Sequence, residues 1–166
     1  FLAAAGEPDI AAKCRAGHTI GDVTYKVILD GEDLGPYLAG EVDESPRQRF
    51  FYVNDDAQLV ALRLGDWKFV FMEQRAKQLS VWLEPFVELR APRIFNLRRD
   101  PFERAIDESN TYFDWLMDRI YMVIPAQAEI ARAVQEFVEF PPRQKPASFN
   151  LDRILEQLER VSAGEA

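Results

Sequence analysis

The chain has 166 residues, enough for one domain or one domain with an appendage, and 48% of them are apolar, so wholesale disorder is excluded. Its 20 basic and 28 acidic side chains leave a net charge of -8, which argues against a nucleic-acid backbone or an anionic membrane as partner. The single cysteine, Cys14, cannot form an internal disulfide, and no apolar run approaches the roughly 20 residues that span a bilayer.

Taken in order, residues 1–6 (FLAAAG) read as the last turns of a helix ended by Gly6, not as a signal peptide, because no basic stretch precedes them. That abrupt apolar start suggests a piece of something longer. Pro8 and Asp9 suit the start of a short helix with Ile10 and Cys14 on one face and Gly17 closing it. Cys14 reads as a packing residue, and His18, the one histidine, falls in a glycine-rich loop with no second ligand for a histidine-based zinc site. Residues 24–29 (TYKVIL) are a strand ending at Asp30-Gly31, residues 32–40 hold a short helical turn framed by glycines, and Ser45-Pro46 marks a loop.

Residues 49–73 (RFFYVNDDAQLVALRLGDWKFVFME) form the centre of the chain, as three antiparallel strands at 50–53, 58–64 and 67–73. Asn54-Asp55-Asp56 makes the first turn and Gly65-Asp66 the second. In the third strand Trp67, Phe69 and Phe71 point one way, and Lys68, Val70 and Met72 the other. Both faces look largely apolar, so both are expected to be covered, one of them by a helix.

Residues 76–92 look irregular, with a short strand at 79–83. Residues 93–97 read as a fourth strand, stopped by Arg99-Asp100-Pro101. Arg90, Arg93, Arg98 and Arg99 cluster but are interrupted by Glu88 and Asp100, which favours a solvated or ion-paired face. Asp107 and Glu108 then precede Asn110, the expected cap of a long helix with Phe113, Leu116, Met117, Ile120 and Ile124 on its buried stripe. Pro125 should kink or break that helix, and the stripe should resume at Ile130, Ala131, Val134, Phe137 and Val138 until Pro141-Pro142. Asn150 would cap a last short helix carrying Leu151, Ile154, Leu155 and Leu158, ahead of a frayed tail at 163–166.

Three acidic groupings invite a chemical reading. Asp55-Asp56 could bind calcium or magnesium, yet Asn-Asp-Asp between two strands is also what a hairpin turn requires. Asp30, Glu32 and Asp33 lack the spacing of a calcium loop, and nothing fixes a substrate between Glu103 and Asp107. No phosphate loop, nucleophile elbow or cysteine pair occurs. Residue chemistry by itself gives no catalytic, cofactor-binding or metal residue.

Five segments, at 2–10 (LAAAGEPDI), 25–40 (YKVILDGEDLGPYLAG), 45–76 (SPRQRFFYVNDDAQLVALRLGDWKFVFMEQRA), 95–105 (FNLRRDPFERA) and 140–150 (FPPRQKPASFN), together resemble the C-terminal region of bacterial arylsulfatases, in order and with similar spacing. Two motifs are the most specific. One joins Asp30-Gly31 to Leu34, Pro36-Tyr37-Leu38 and Gly40; the other is Leu97, Asp100-Pro101 and Glu103. The resemblance implies that residues 1–21 are the tail end of a catalytic domain with its linker, and 22–166 the smaller C-terminal subdomain. It implies an α+β fold, an antiparallel sheet of about four strands with a long helix on one face. The other face would abut the N-terminal catalytic domain as its partner.

Sulfatases hydrolyse sulfate esters with a formylglycine made in a Cys/Ser-x-Pro-x-Arg motif and a calcium ion that binds the sulfate. Here the residues after Cys14 depart from that motif, with Ala16 in place of Pro and His18 in place of Arg. Cys14 is therefore not the formylglycine precursor, and Asp55-Asp56 lies too late in the chain to be the family's metal-binding pair. The resemblance thus implies a structural piece, inactive alone, of an enzyme whose calcium and formylglycine lie outside it, in a bacterial periplasm or cytoplasm. The alternative from another class is a free-standing α+β module that self-associates through an exposed apolar sheet face.

Overall fold

A computed structural model describes residues 1–141. The architecture is α+β, and its centre is a four-stranded antiparallel sheet in the order β3-β4-β5-β6, formed by Arg49–Val53, Leu59–Leu64, Trp67–Glu73 and Val87–Asn96. The strands of the central stretch begin within a residue of where the alternation of Phe, Val and Leu places them.

Before the sheet come α1 (Ile10–Ala16), a small antiparallel pair of β1 (His18–Ile20) with β2 (Val23–Tyr25), and α2 (Gly35–Leu38). Residues 1–6 do end a helical turn. Glu7 N–H donates to the Leu2 carbonyl and Gly6 N–H to the Ala3 carbonyl, with Gly6 left-handed at φ 97°. The strand expected at 24–29 is shorter, ending at Tyr25, and its partner β1 begins at His18, so the histidine lies in a strand and not a loop. Three-residue strands carry too little alternation to be read from sequence.

The two hairpin turns use different devices. Asn54 Oδ1 accepts from Asp56 N–H at 3.1 Å and Gln58 N–H at 2.9 Å, while Ala57 takes φ 59° to close the loop. Gly65 takes φ 54° at the first position of the two-residue β4–β5 turn, where a residue with a Cβ would be strained.

The strand register sorts the side chains into rows. Phe51, Leu62, Phe69 and Ile94 line up across all four strands, and Leu62, Phe69 and Ile94 are wholly buried. This row is the floor of the core, and Tyr112, Leu116 and Ala126 from the helices cover it. On the opposite face Tyr52, Ala61, Val70 and Arg93 form one row, and Phe50, Arg63, Lys68 and Phe95 another. That face is thus mixed, apolar along β5 but carrying three cations contributed mainly by its neighbours.

β6 is longer than residues 93–97. It starts at Val87 and pairs Glu88 with Met72 and Arg93 with Val70, so four of its residues, including Pro92, bulge opposite Phe71 alone. Proline is tolerated because β6 is an edge strand. Residues 79–83 are no strand; a 3-10 turn spans Gln78–Trp82, with Leu79, Trp82 and Leu83 exposed.

The long helix is broken as expected, though ahead of Pro125. α4 (Tyr112–Met117) gives way to a 3-10 turn at Ile120–Met122, and α5 (Val123–Glu139) follows. Pro125 then falls in the first turn of α5, where its missing N–H has no helical partner to lose. Asn110 is not the cap: the N-cap is Thr111, and Asp107 and Glu108 belong to a separate short helix, α3 (Ala105–Glu108).

The expected buried stripe is also displaced. Of Phe113, Leu116, Met117, Ile120 and Ile124 only Leu116 is buried, and Val134, Phe137 and Val138 are exposed. The buried line instead runs through Tyr112 and Leu116 in α4, then Ala126 and Ala133 in α5, with Val123 and Ile130 half-buried between. The 3-10 turn advances about 120° per residue against 100° in an α-helix, so it shifts the phase that an unbroken helix would keep. Of the two alanines on the inner line, Ala126 belongs to the core cluster with Leu62, Phe69 and Ile94. The helix expected after Asn150 lies outside the described residues.

Candidate functional site

Polar order concentrates where β6 hands the chain to the helices. Asp100 accepts from Arg104 N–H at 3.0 Å and Ala105 N–H at 2.8 Å, using both carboxylate oxygens to hold the start of α3. Glu103, at φ 56°, points back at the second sheet face and binds Lys68 Nζ through both oxygens, at 2.7 and 2.9 Å. Lys68 Nζ also lies 4.8 Å from the centre of the Tyr52 ring, so its cation meets a carboxylate and an aromatic face. The segment from Leu97 to Glu103 is thereby fastened to the sheet at one end and to α3 at the other.

Tyr112 completes the turn-around of the chain. Its hydroxyl donates to the Ile94 carbonyl at 3.0 Å and accepts from the Ile94 N–H at 3.3 Å. The phenol therefore takes the place of a fifth strand at the outer edge of β6. Burial pushes its pKa above the usual tyrosine value, against the lowering effect of the Ile94 hydrogen bond. Around it runs an aromatic chain: Phe95 lies 5.8 Å away, Trp115 6.0 Å, and Trp115 stacks on Trp67 at 6.1 Å. Sequence reading put Lys68 on the second face of its strand but gave no role to it or to Tyr112. The one available signal was a lysine at an inward position of an otherwise apolar strand.

The acidic groupings come apart in three dimensions. The backbone N–H of Asp56 serves the Asn54 turn, and Asp33 Oδ1 accepts from Gly35 N–H at 2.9 Å to start α2, while the Asp30 carbonyl accepts from Arg47 at 2.8 Å. Glu103 is committed to Lys68, whereas Asp107 sits in α3, so their spacing of four is not a helical one. Cys14 is buried, and its carbonyl accepts from Val27 N–H. Arg93 is ion-paired, with Glu73, which also binds Arg75 at 2.8 Å.

Among the described residues no three His, Cys, Asp or Glu side chains converge to hold a metal ion. Open clefts occur among the described residues. One of about 530 Å³ lies along residues 74–87, and one of about 550 Å³ lies between Lys26–Asp30 and the end of α5 at Glu136, Phe137 and Phe140. Glu136 and Glu139 beside the second cleft are already engaged, with Arg49 at 3.6 Å and Arg15 at 2.8 Å.

No protein-family model matches the chain, and no curated protein does. Among solved structures the chain is similar to a sulfatase. That is the crystal structure of the PsFucS1 sulfatase from Pseudoalteromonas sp., at 22% identity and a TM-score of 0.38, over 61% of this chain. The match covers 19% of the PsFucS1 chain, so this chain corresponds to a minor part of that structure's length.

Proposed function

We propose that this chain is the C-terminal part of a sulfatase of the arylsulfatase kind, that it is a structural subdomain, and that it has no hydrolytic activity alone. The observation that carries the reading is the ordered set of segments from residue 2 to residue 150 that resembles that region. One of the two specific motifs, Leu97 with Asp100-Pro101 and Glu103, has a physical role that suits a scaffold: Asp100 caps α3 and Glu103 locks Lys68. Hydrolysis of the sulfate ester, with its formylglycine and calcium, would belong to an N-terminal catalytic domain packed against this subdomain. The mixed sheet face around Tyr52, Lys68 and Phe50 is the surface available for that domain.

The reading frame upstream of Phe1 tests the assignment. A Cys/Ser-x-Pro-x-Arg motif with an Asp-Asp pair before it is expected, and a start codon directly before Phe1 would refute it. The purified chain with calcium and nitrocatechol sulfate should show no turnover above buffer. Turnover abolished by a substitution within this chain would overturn the structural reading.

A further inference from the structure

The two edges of the central sheet are treated differently. At β6 the outer edge is closed by Tyr112, carries Pro92 and is interrupted by a bulge, three devices that prevent pairing with another strand. β3, at the other edge, carries no proline and, among the described residues, no side chain bonded along it, and its register shift falls at the strand's end, between Tyr52 and Val53.

Which of its backbone groups face outward follows from the ladder. Gly65 N–H donates to the Gln48 carbonyl at 2.9 Å, so residue 48 faces β4, and alternation turns Phe50 and Tyr52 the same way. Arg49, Phe51 and Val53 therefore present their N–H and C=O groups away from the sheet. Asn54 N–H donates to the Gln58 carbonyl, which keeps Val53 outward past the register shift. Among the described residues no other donor or acceptor reaches these three. Phe50 and Val53 are exposed on the same strand.

The charges along this edge are polarised. Arg47 lies at one end and Asp55 and Asp56 at the other, while Arg49 is already ion-paired with Glu129 and Glu136 of α5. Antiparallel pairing with a second copy about Phe51 sets Arg49 opposite Val53 of the partner subunit and Arg47 opposite Asp55 of the partner subunit. Three outward residues then meet three outward residues, and each end places a cation against an anion. Parallel pairing would align like charges instead. We infer that β3 is a self-association edge, joining two copies of this chain into one continuous eight-stranded antiparallel sheet about a twofold axis. This does not rest on the sulfatase reading, and it uses the sheet's edge, leaving the face opposite the helices free.

Sedimentation equilibrium of the 166-residue chain between about 1 and 200 µM tests it. A concentration-dependent dimer is expected. Val53→Pro removes an outward donor that serves no bond within the sheet, and it should leave a monomer with an unchanged far-UV circular dichroism spectrum. Arg47→Asp and Asp55→Arg should each weaken the dimer about tenfold, and the two together should restore it, because the pairs re-form with reversed sign. A chain that stays monomeric at 200 µM would overturn the inference. So would a dimer indifferent to all three substitutions, which would place the contact elsewhere, such as the exposed side of α5 at Ile124, Val134 and Val138.

Discussion

Replacing Tyr112 by phenylalanine deletes one oxygen and leaves two buried backbone groups of Ile94 without a partner. A buried donor or acceptor left unsatisfied costs about 1–3 kcal/mol. The N–H bond is the longer of the two, at 3.3 Å, and contributes less. The expected loss of stability is therefore about 2 kcal/mol, most of it from the carbonyl. With a urea m-value of about 2 kcal/mol/M for a domain of this size, the unfolding midpoint should fall by about 1 M at unchanged m. Tyr121→Phe, at an exposed tyrosine, is the control and should stay within about 0.5 kcal/mol. The pH dependence supplies an independent check. The folded phenol has a raised pKa, so the fold favours the neutral form. Its contribution is complete below the unfolded value near pH 10 and is lost as pH rises through the folded value. The gap between the natural chain and Tyr112→Phe should accordingly narrow above about pH 10. A midpoint shift equal to that of Tyr121→Phe, or a gap constant through pH 11, would refute the edge-closing role.

Four other outcomes are expected. Glu103→Gln should cost about 1–2 kcal/mol in urea unfolding, because Lys68 is largely shielded and loses its charged partner; with Lys68→Met the double variant should recover part of that loss. Asp100→Ala should cost about 1–2 kcal/mol, since both its oxygens serve N–H groups at the start of α3. Ala57→Gly should stabilise by about 0.5–1 kcal/mol by relieving the left-handed backbone at φ 59°, and a loss in thermal unfolding would contradict that. Millimolar calcium should leave the melting temperature of the chain and of Asp55→Asn/Asp56→Asn alike unchanged, whereas a saturated site at 100 times its Kd would add about 2.7 kcal/mol.

How far the sequence could be read depended on the range of the forces involved. The hairpin stretch was legible to within a residue, because strand alternation and turn chemistry are both local. Asn54, Gly65 and the Phe and Val residues beside them carry their instructions within a few positions. The alternative readings of Asp55-Asp56, Asp30 and Glu103 could be weighed from sequence but only separated in space. In the helical half the apolar periodicity was visible, yet the stripe it indicated was mostly exposed. Counting by 3.6 assumes an unbroken helix, and the 3-10 turn at Ile120–Met122 reset the phase.

Composition, turn residues and strand alternation by themselves determined an α+β domain with a central antiparallel hairpin stack and a broken helix beside it. Tertiary structure alone decided which helix face is buried, where β6 begins, and that Tyr112 closes one edge while the other stays open. The reason is physical: alternation and turn preferences act between neighbours in the chain. A phenol meeting the backbone of Ile94, 18 residues away, depends on the sheet being assembled first.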